Sequence, residues 1–161
     1  MSNKPIWEPG PERAERANMT RFTRFVREQT GNEDIGSYAP LYEYSIRYPE
    51  RFWPLVWEFC GIRATGDFDT VLADADKLPG ARFYPNVKLN FAQNLLRYKD
   101  DKAAIVFRNE WGQQRQLSYA ELHGEVARLA HALKDAGVGV GDRVAGFMPN
   151  IPETVIAMLA T

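Results

Sequence analysis

The chain has 161 residues, 45% of them apolar and 25% charged, with a formal net charge of -1. That length and balance allow a sizeable core, and near-neutrality gives no general attraction to nucleic acid or to anionic membranes. The single cysteine, Cys60, excludes an internal disulfide and fits a reducing compartment, and no run of 18 apolar residues offers a membrane span, so the cytoplasm is the expected place.

In chain order, the first ten residues, MSNKPIWEPG, lack the apolar stretch of a signal peptide, and their proline and glycine punctuation suits a segment that wraps over other structure. Pro11 to Thr30 reads as a helix ending near Gly31, with Met19, Phe22, Phe25 and Val26 on one face. Five arginines punctuate it against three glutamates, leaving +2, which is weak for a membrane or acidic partner and ordinary for a solvated face. Tyr38 to Phe59 packs eight of the chain's twenty aromatics into 22 residues. Only Arg47 and Arg51 interleave with them, too few to track a nucleic-acid backbone, whereas Phe52, Val56 and Phe59 share a helical face. Pro54 should break that helix, so it either begins near Trp53 or follows a one-turn segment from Pro49. Cys60 reads as a small core or helix-end residue, with no histidine near it in sequence to make it a nucleophile. Asp67 to Asp76 is acidic but lacks the spacing of a calcium loop and reads as a helix start and surface. Leu78 to Leu89 is a proline-broken connector, and Asn90 to Tyr98 a short helix with Phe91 and Leu95 inward and Leu96 and Tyr98 as further inward candidates.

From Ala103 the pattern changes. Ala104 to Arg108 and Arg115 to Leu117 flank the turn glycine Gly112 and predict a hairpin. Ser118 opens a helix with Glu121 completing a capping box and Leu117 stapled to Leu122. Its stripe is Leu122, Val126, Leu129, Leu133 and Ala136, and Gly137 ends it. Both histidines ride on this helix away from the stripe's centre: His131 opposite it and His123 at its flank, exposed structural positions rather than general bases. Arg143 to Met148 reads as a strand buried on both faces. Asn150 and Glu153 then form an N-cap pair, with Pro152 in the first turn of an apolar, buried helix through Val155, Ile156, Met158 and Leu159. A strand followed by such a helix is half of a βαβ unit, so the pattern predicts an interrupted sheet layer and exposed apolar surface.

No motif in these residues carries a reaction. The glycines of Gly137-Val138-Gly139-Val140-Gly141 follow a helix and feed a strand, the reverse of the order that presents a helix N-terminus to phosphate. No P-loop, HExxH, CxxC or G-x-S-x-G sequence occurs.

Several blocks, in order, carry a resemblance. Leu117-Ser118-Tyr119-Ala120-Glu121-Leu122, Gly141-Asp142-Arg143-Val144-Ala145 and Met148-Pro149-Asn150-Ile151-Pro152-Glu153, followed by Ala157-Met158-Leu159-Ala160, resemble the opening of the adenylate-forming domain of acyl-CoA synthetases. Phe52-Trp53 and Asn90-Phe91-Ala92-Gln93-Asn94-Leu95-Leu96 are similar to the N-terminal extension of the acetyl-CoA synthetase branch. Within that branch, Ile6-Trp7, Trp57-Glu58-Phe59-Cys60-Gly61 and the run from Phe83 to Ala92 most resemble the acetoacetyl-CoA synthetase family.

The resemblance implies an α/β chain in two parts: a mainly helical extension over residues 1–100, then over 101–161 the first hairpin, helix, strand and helix of an incomplete adenylate-forming domain. It implies a ligase that uses ATP, Mg²⁺ and CoA to activate a short acid such as acetoacetate, or alternatively acetate. The family's phosphate loop, ribose-binding aspartate and catalytic lysine have no counterpart here, so no catalytic, cofactor-binding or metal residue is carried over to any position. The segment is expected to bind no cofactor, to be inactive alone and to have the rest of a synthetase chain as its partner. The other expectation is a non-catalytic interaction module derived from such a ligase.

Overall fold

The computed structural model describes residues 6–161, so Met1 to Pro5 of the expected wrapping segment lie outside the described residues. The chain divides into two compact units between Lys88 and Leu89.

The first unit contains helices α1 (Pro11–Glu15), α2 (Asn18–Thr30), α3 (Tyr38–Arg47) and α4 (Pro49–Cys60). Where one helix is expected from Pro11 to Thr30 there are two. Ala17 takes an extended conformation as the N-cap of α2, and the Thr20 hydroxyl donates to the Ala14 carbonyl at 2.6 Å, occupying an acceptor at the end of α1. Gly31, at φ 63°, closes α2. Phe22, Val26, Ile35 and Leu41 form the buried cluster, with Phe25, Phe52, Val56 and Phe59 packed against it; Met19, expected on the inner face, is half exposed. Phe22 meets Phe52 edge-on at 5.8 Å and Phe59 at 5.0 Å, the geometry that ring quadrupoles favour.

Pro54 breaks nothing: α4 runs unbroken from Pro49 to Cys60 with the proline inside. The proline removes one intrahelical donor, and the packing of Phe52, Leu55, Val56 and Phe59 against the buried cluster holds the helix across that gap. No helix starts in the acidic stretch. Two-residue ladders take its place: β1 (Thr65–Gly66) pairs antiparallel with β4 (Val87–Lys88), and β2 (Leu72–Ala73) with β3 (Arg82–Phe83). Gly66 is obligatory at φ 122°, since a Cβ there would collide with the Asn86 carbonyl oxygen. Asp74, also at positive φ, bonds Lys77 at 2.8 Å and Arg82 at 3.2 Å, and these cations hold its carboxyl below the usual range, Lys77 first.

The second unit comprises α5 (Phe91–Leu95), β5 (Ala103–Arg108), β6 (Gln114–Ser118), α6 (Tyr119–Asp135) and α7 (Pro152–Ala160). Helix α5 packs within this unit through Ala92 and Leu96; of the four residues offered as inward, Leu96 meets the core, whereas Phe91, Leu95 and Tyr98 are exposed at 65%, 46% and 54%. Its Asn90 cap accepts the Gln93 N–H at 2.8 Å. Strands β5 and β6 are antiparallel, with Ile105 opposite Leu117, Phe107 opposite Arg115, and an irregularity between Ala103 and Ile105.

At the head of α6 the Ser118 hydroxyl accepts the Glu121 N–H at 3.2 Å, and Glu121 accepts the Ser118 N–H at 2.8 Å. Leu117, Leu122, Val126, Ile156 and Leu159 form one buried cluster. Gly137, at φ 87°, ends the helix, with Val138 N–H donating to the Leu133 carbonyl at 3.0 Å.

Three expectations for the last part of the chain fail. Arg143 to Met148 forms no strand. β5 and β6 pair only with each other, so no neighbour supplies the ladder on which strand formation depends. Asn150 does not cap α7; Ile151 holds that position without a side-chain bond, and the Thr154 hydroxyl donates to the Pro149 carbonyl at 2.6 Å. Helix α7 is also only half buried: Ile156 and Leu159 face the core, whereas Met158 is 60% exposed.

Candidate functional site

The best-defined surface of the second unit lies where the β5–β6 turn approaches the first turn of α7. Asn109 fastens that turn. Its side-chain oxygen accepts the N–H groups of Trp111 at 3.2 Å and Gln113 at 2.9 Å, and its amide nitrogen donates to the Gln113 side chain at 2.6 Å. Gly112, at φ 80°, completes the reversal and leaves Trp111 85% exposed. Across a cleft of about 930 Å³ lie Ile151, Pro152 and Glu153. The Arg115 guanidinium donates to the Glu153 carboxylate and closes the base of this arrangement. Glu153 is held below the ordinary carboxylate range, first by its own backbone N–H in the opening turn of α7 and then by Arg115. The helix end therefore already holds a carboxylate from its own chain.

Beside it, the segment from Asp142 to Pro149 runs without turn or bend along α7. Val144, Ala145, Gly146 and Met148 line a cleft of about 430 Å³ with Thr154 and Met158.

Groups that could act chemically are scattered. His131 pairs through Nδ1 with Asp135 at 3.3 Å on the exposed side of α6, and His123 is half-buried. Cys60 is exposed at the end of α4. The Gly137–Gly141 run forms a turn in which Gly139 N–H donates to Asp142 at 2.7 Å; no helix N-terminus follows directly, so this run does not fit a phosphate. Among the described residues no three His, Cys, Asp or Glu side chains gather to hold a metal ion, and no helix is long and apolar enough to cross a membrane. Sequence reading missed the Arg115–Glu153 pair because the partners stand 38 residues apart. It missed Trp111 because an isolated tryptophan in a turn has no periodicity, although Asn109 and Gly112 around it are turn residues.

Residues 38–95 match the family model described as acetyl-coenzyme A synthetase N-terminus, and residues 91–161 match that of the AMP-binding enzyme. Acetoacetyl-coenzyme A synthetase from Rhizobium meliloti (strain 1021) is 39% identical over 160 residues, covering 99% of this chain and 24% of its own length. The solved structure of acetoacetyl-CoA synthetase from Streptomyces lividans superposes with a TM-score of 0.89 at 36% identity, over 98% of this chain and 25% of that one. The chain matches the N-terminal part of acetoacetyl-CoA synthetases. The family resemblance drawn from its motifs therefore stands, and the α/β architecture is that of the solved relative. Malonamoyl-CoA synthetase from Penicillium aethiopicum is 30% identical over 150 residues, covering 89% of this chain and 21% of its own length. The chain thus spans about a quarter of the length of the relatives it matches.

Proposed function

We propose that this chain supplies the N-terminal extension and the opening of the adenylate-forming domain of an acid–CoA ligase acting on acetoacetate, and that it is inactive by itself. What supports the reading is the match of 99% of the chain to acetoacetyl-CoA synthetase sequence.

The reaction has a clear chemical logic. A carboxylate is a poor electrophile until one of its oxygens joins a good leaving group. Attack of the carboxylate on the α-phosphorus of ATP gives an acyl-adenylate and diphosphate; attack of the CoA thiol then forms the thioester and expels AMP. The polyanionic transition state requires preorganised N–H donors, a cation and Mg²⁺. The residues of this chain do not fit those tasks, and no step is assigned to them. The boundary we propose for the two domains is near Asp100, with α5 bridging in sequence between the two matched families. A reducing, cytoplasmic setting accords with the lone Cys60.

The malonamoyl relative refines the substrate class. Acetoacetate and malonamate both carry a second carbonyl two carbons from the carboxylate and differ in ending on methyl or amino. We read the acid as a short 3-oxo carboxylate, with acetate, which lacks that carbonyl, as the weaker alternative.

Two measurements test this. Calorimetry of the 161-residue chain with ATP should give no heat of binding, and micromolar affinity would overturn the claim that the nucleotide site lies elsewhere. A chimaera in which this chain replaces the matching quarter of the Streptomyces lividans synthetase should catalyse acetoacetate-dependent exchange of diphosphate into ATP, with less exchange on acetate. A folded chimaera without exchange would overturn the ligase reading.

A further inference from the structure

We draw no further inference here: the strongest candidate, the exposed apolar stripe of Tyr38, Tyr42 and Ile46 along α3, where the two tyrosine rings stack at 6.3 Å, carries nothing because nothing in the structure shows what covers it.

Discussion

The two units solve the same problem with different materials. The first surrounds Phe22, Val26, Ile35 and Leu41 with rings from α2 and α4. The second is aliphatic: Leu117, Leu122, Val126, Ile156 and Leu159 form a single layer between β6, α6 and α7, and the far side of α7 carries the exposed Met158 and the unpaired Val144–Met148 segment. Aromatic side chains bury large areas each, so a few short helices suffice to surround a core with them. A sheet-and-helix layer depends instead on the number of strands laid beside one another, and a hairpin with one covering helix leaves a face open. The first unit therefore closes its core with rings from its own helices.

Substitution of Phe22 breaks this comparison most severely. Phe22→Ala removes a buried ring that touches Phe25, Phe52 and Phe59, and should destabilise the first unit by about 3 to 5 kcal/mol. Urea unfolding followed by tryptophan fluorescence reads that unit selectively, because Trp53 and Trp57 lie in α4 while Trp111 of the second unit is already exposed. An unchanged fluorescence transition would show that the aromatic cluster does not hold the first unit together.

The matching test in the second unit is smaller. Ser118→Ala removes one half of the capping box and leaves the Glu121 N–H without its acceptor, so the second unit should lose about 1 kcal/mol. The loss should appear in the helical circular dichroism transition and not in tryptophan fluorescence. A coincident shift of both signals would mean that the units unfold as one.

How much of this was legible follows from where each signal resides. The capping box, the Leu117–Leu122 staple and the Gly137 end of α6 are local patterns within a few residues, and they read directly. The aromatic helix face of Phe52, Val56 and Phe59 read equally well, but the effect of Pro54 did not, since propensity is local and the packing that overrides it is not. Phe91 and Leu95 turn outward for a related reason: in a five-residue helix stripes one residue apart both fit the period, and tertiary contact chose Ala92 with Leu96, of which only Leu96 was among the inward candidates. Arg143 to Met148 has strand composition, yet a strand is a property of a pair. For the site, the sequence excluded more than it located, because the Arg115–Glu153 contact depends on the fold bringing α7 to the hairpin.

That ion pair gives the next, smaller test. Both side chains are nearly half exposed, so Arg115→Ala should cost under about 1 kcal/mol. The folded pKa of Glu153 is depressed, so its contribution is present above the unfolded carboxylate value of 4.5 and is lost as pH falls through the lower folded value. The larger cause of the depression is the backbone N–H, so the acid-side loss should persist in Arg115→Ala and disappear only in Glu153→Gln. Acid titration of the helical signal in the two variants separates them; an equal loss of acid sensitivity in both would assign the effect to Arg115.

The smallest effect returns to the first unit. The Tyr84 hydroxyl is buried without a hydrogen-bond partner among Trp57 and Phe68, the one such side-chain atom among the described residues. Burial raises the phenol above its ordinary value of 10.0. The contribution tied to this raised pKa is present in full below the unfolded value and declines as pH rises through the folded one. Tyr84→Phe removes an unsatisfied polar atom while keeping the ring contacts, so at neutral pH the first unit should hold its stability or gain up to about 1 kcal/mol. Its alkaline decline should also start later than in the parent chain. A clear loss at neutral pH would mean that the hydroxyl has a hydrogen-bond partner, and that this bond helps hold the group of Trp57, Phe68 and Tyr84.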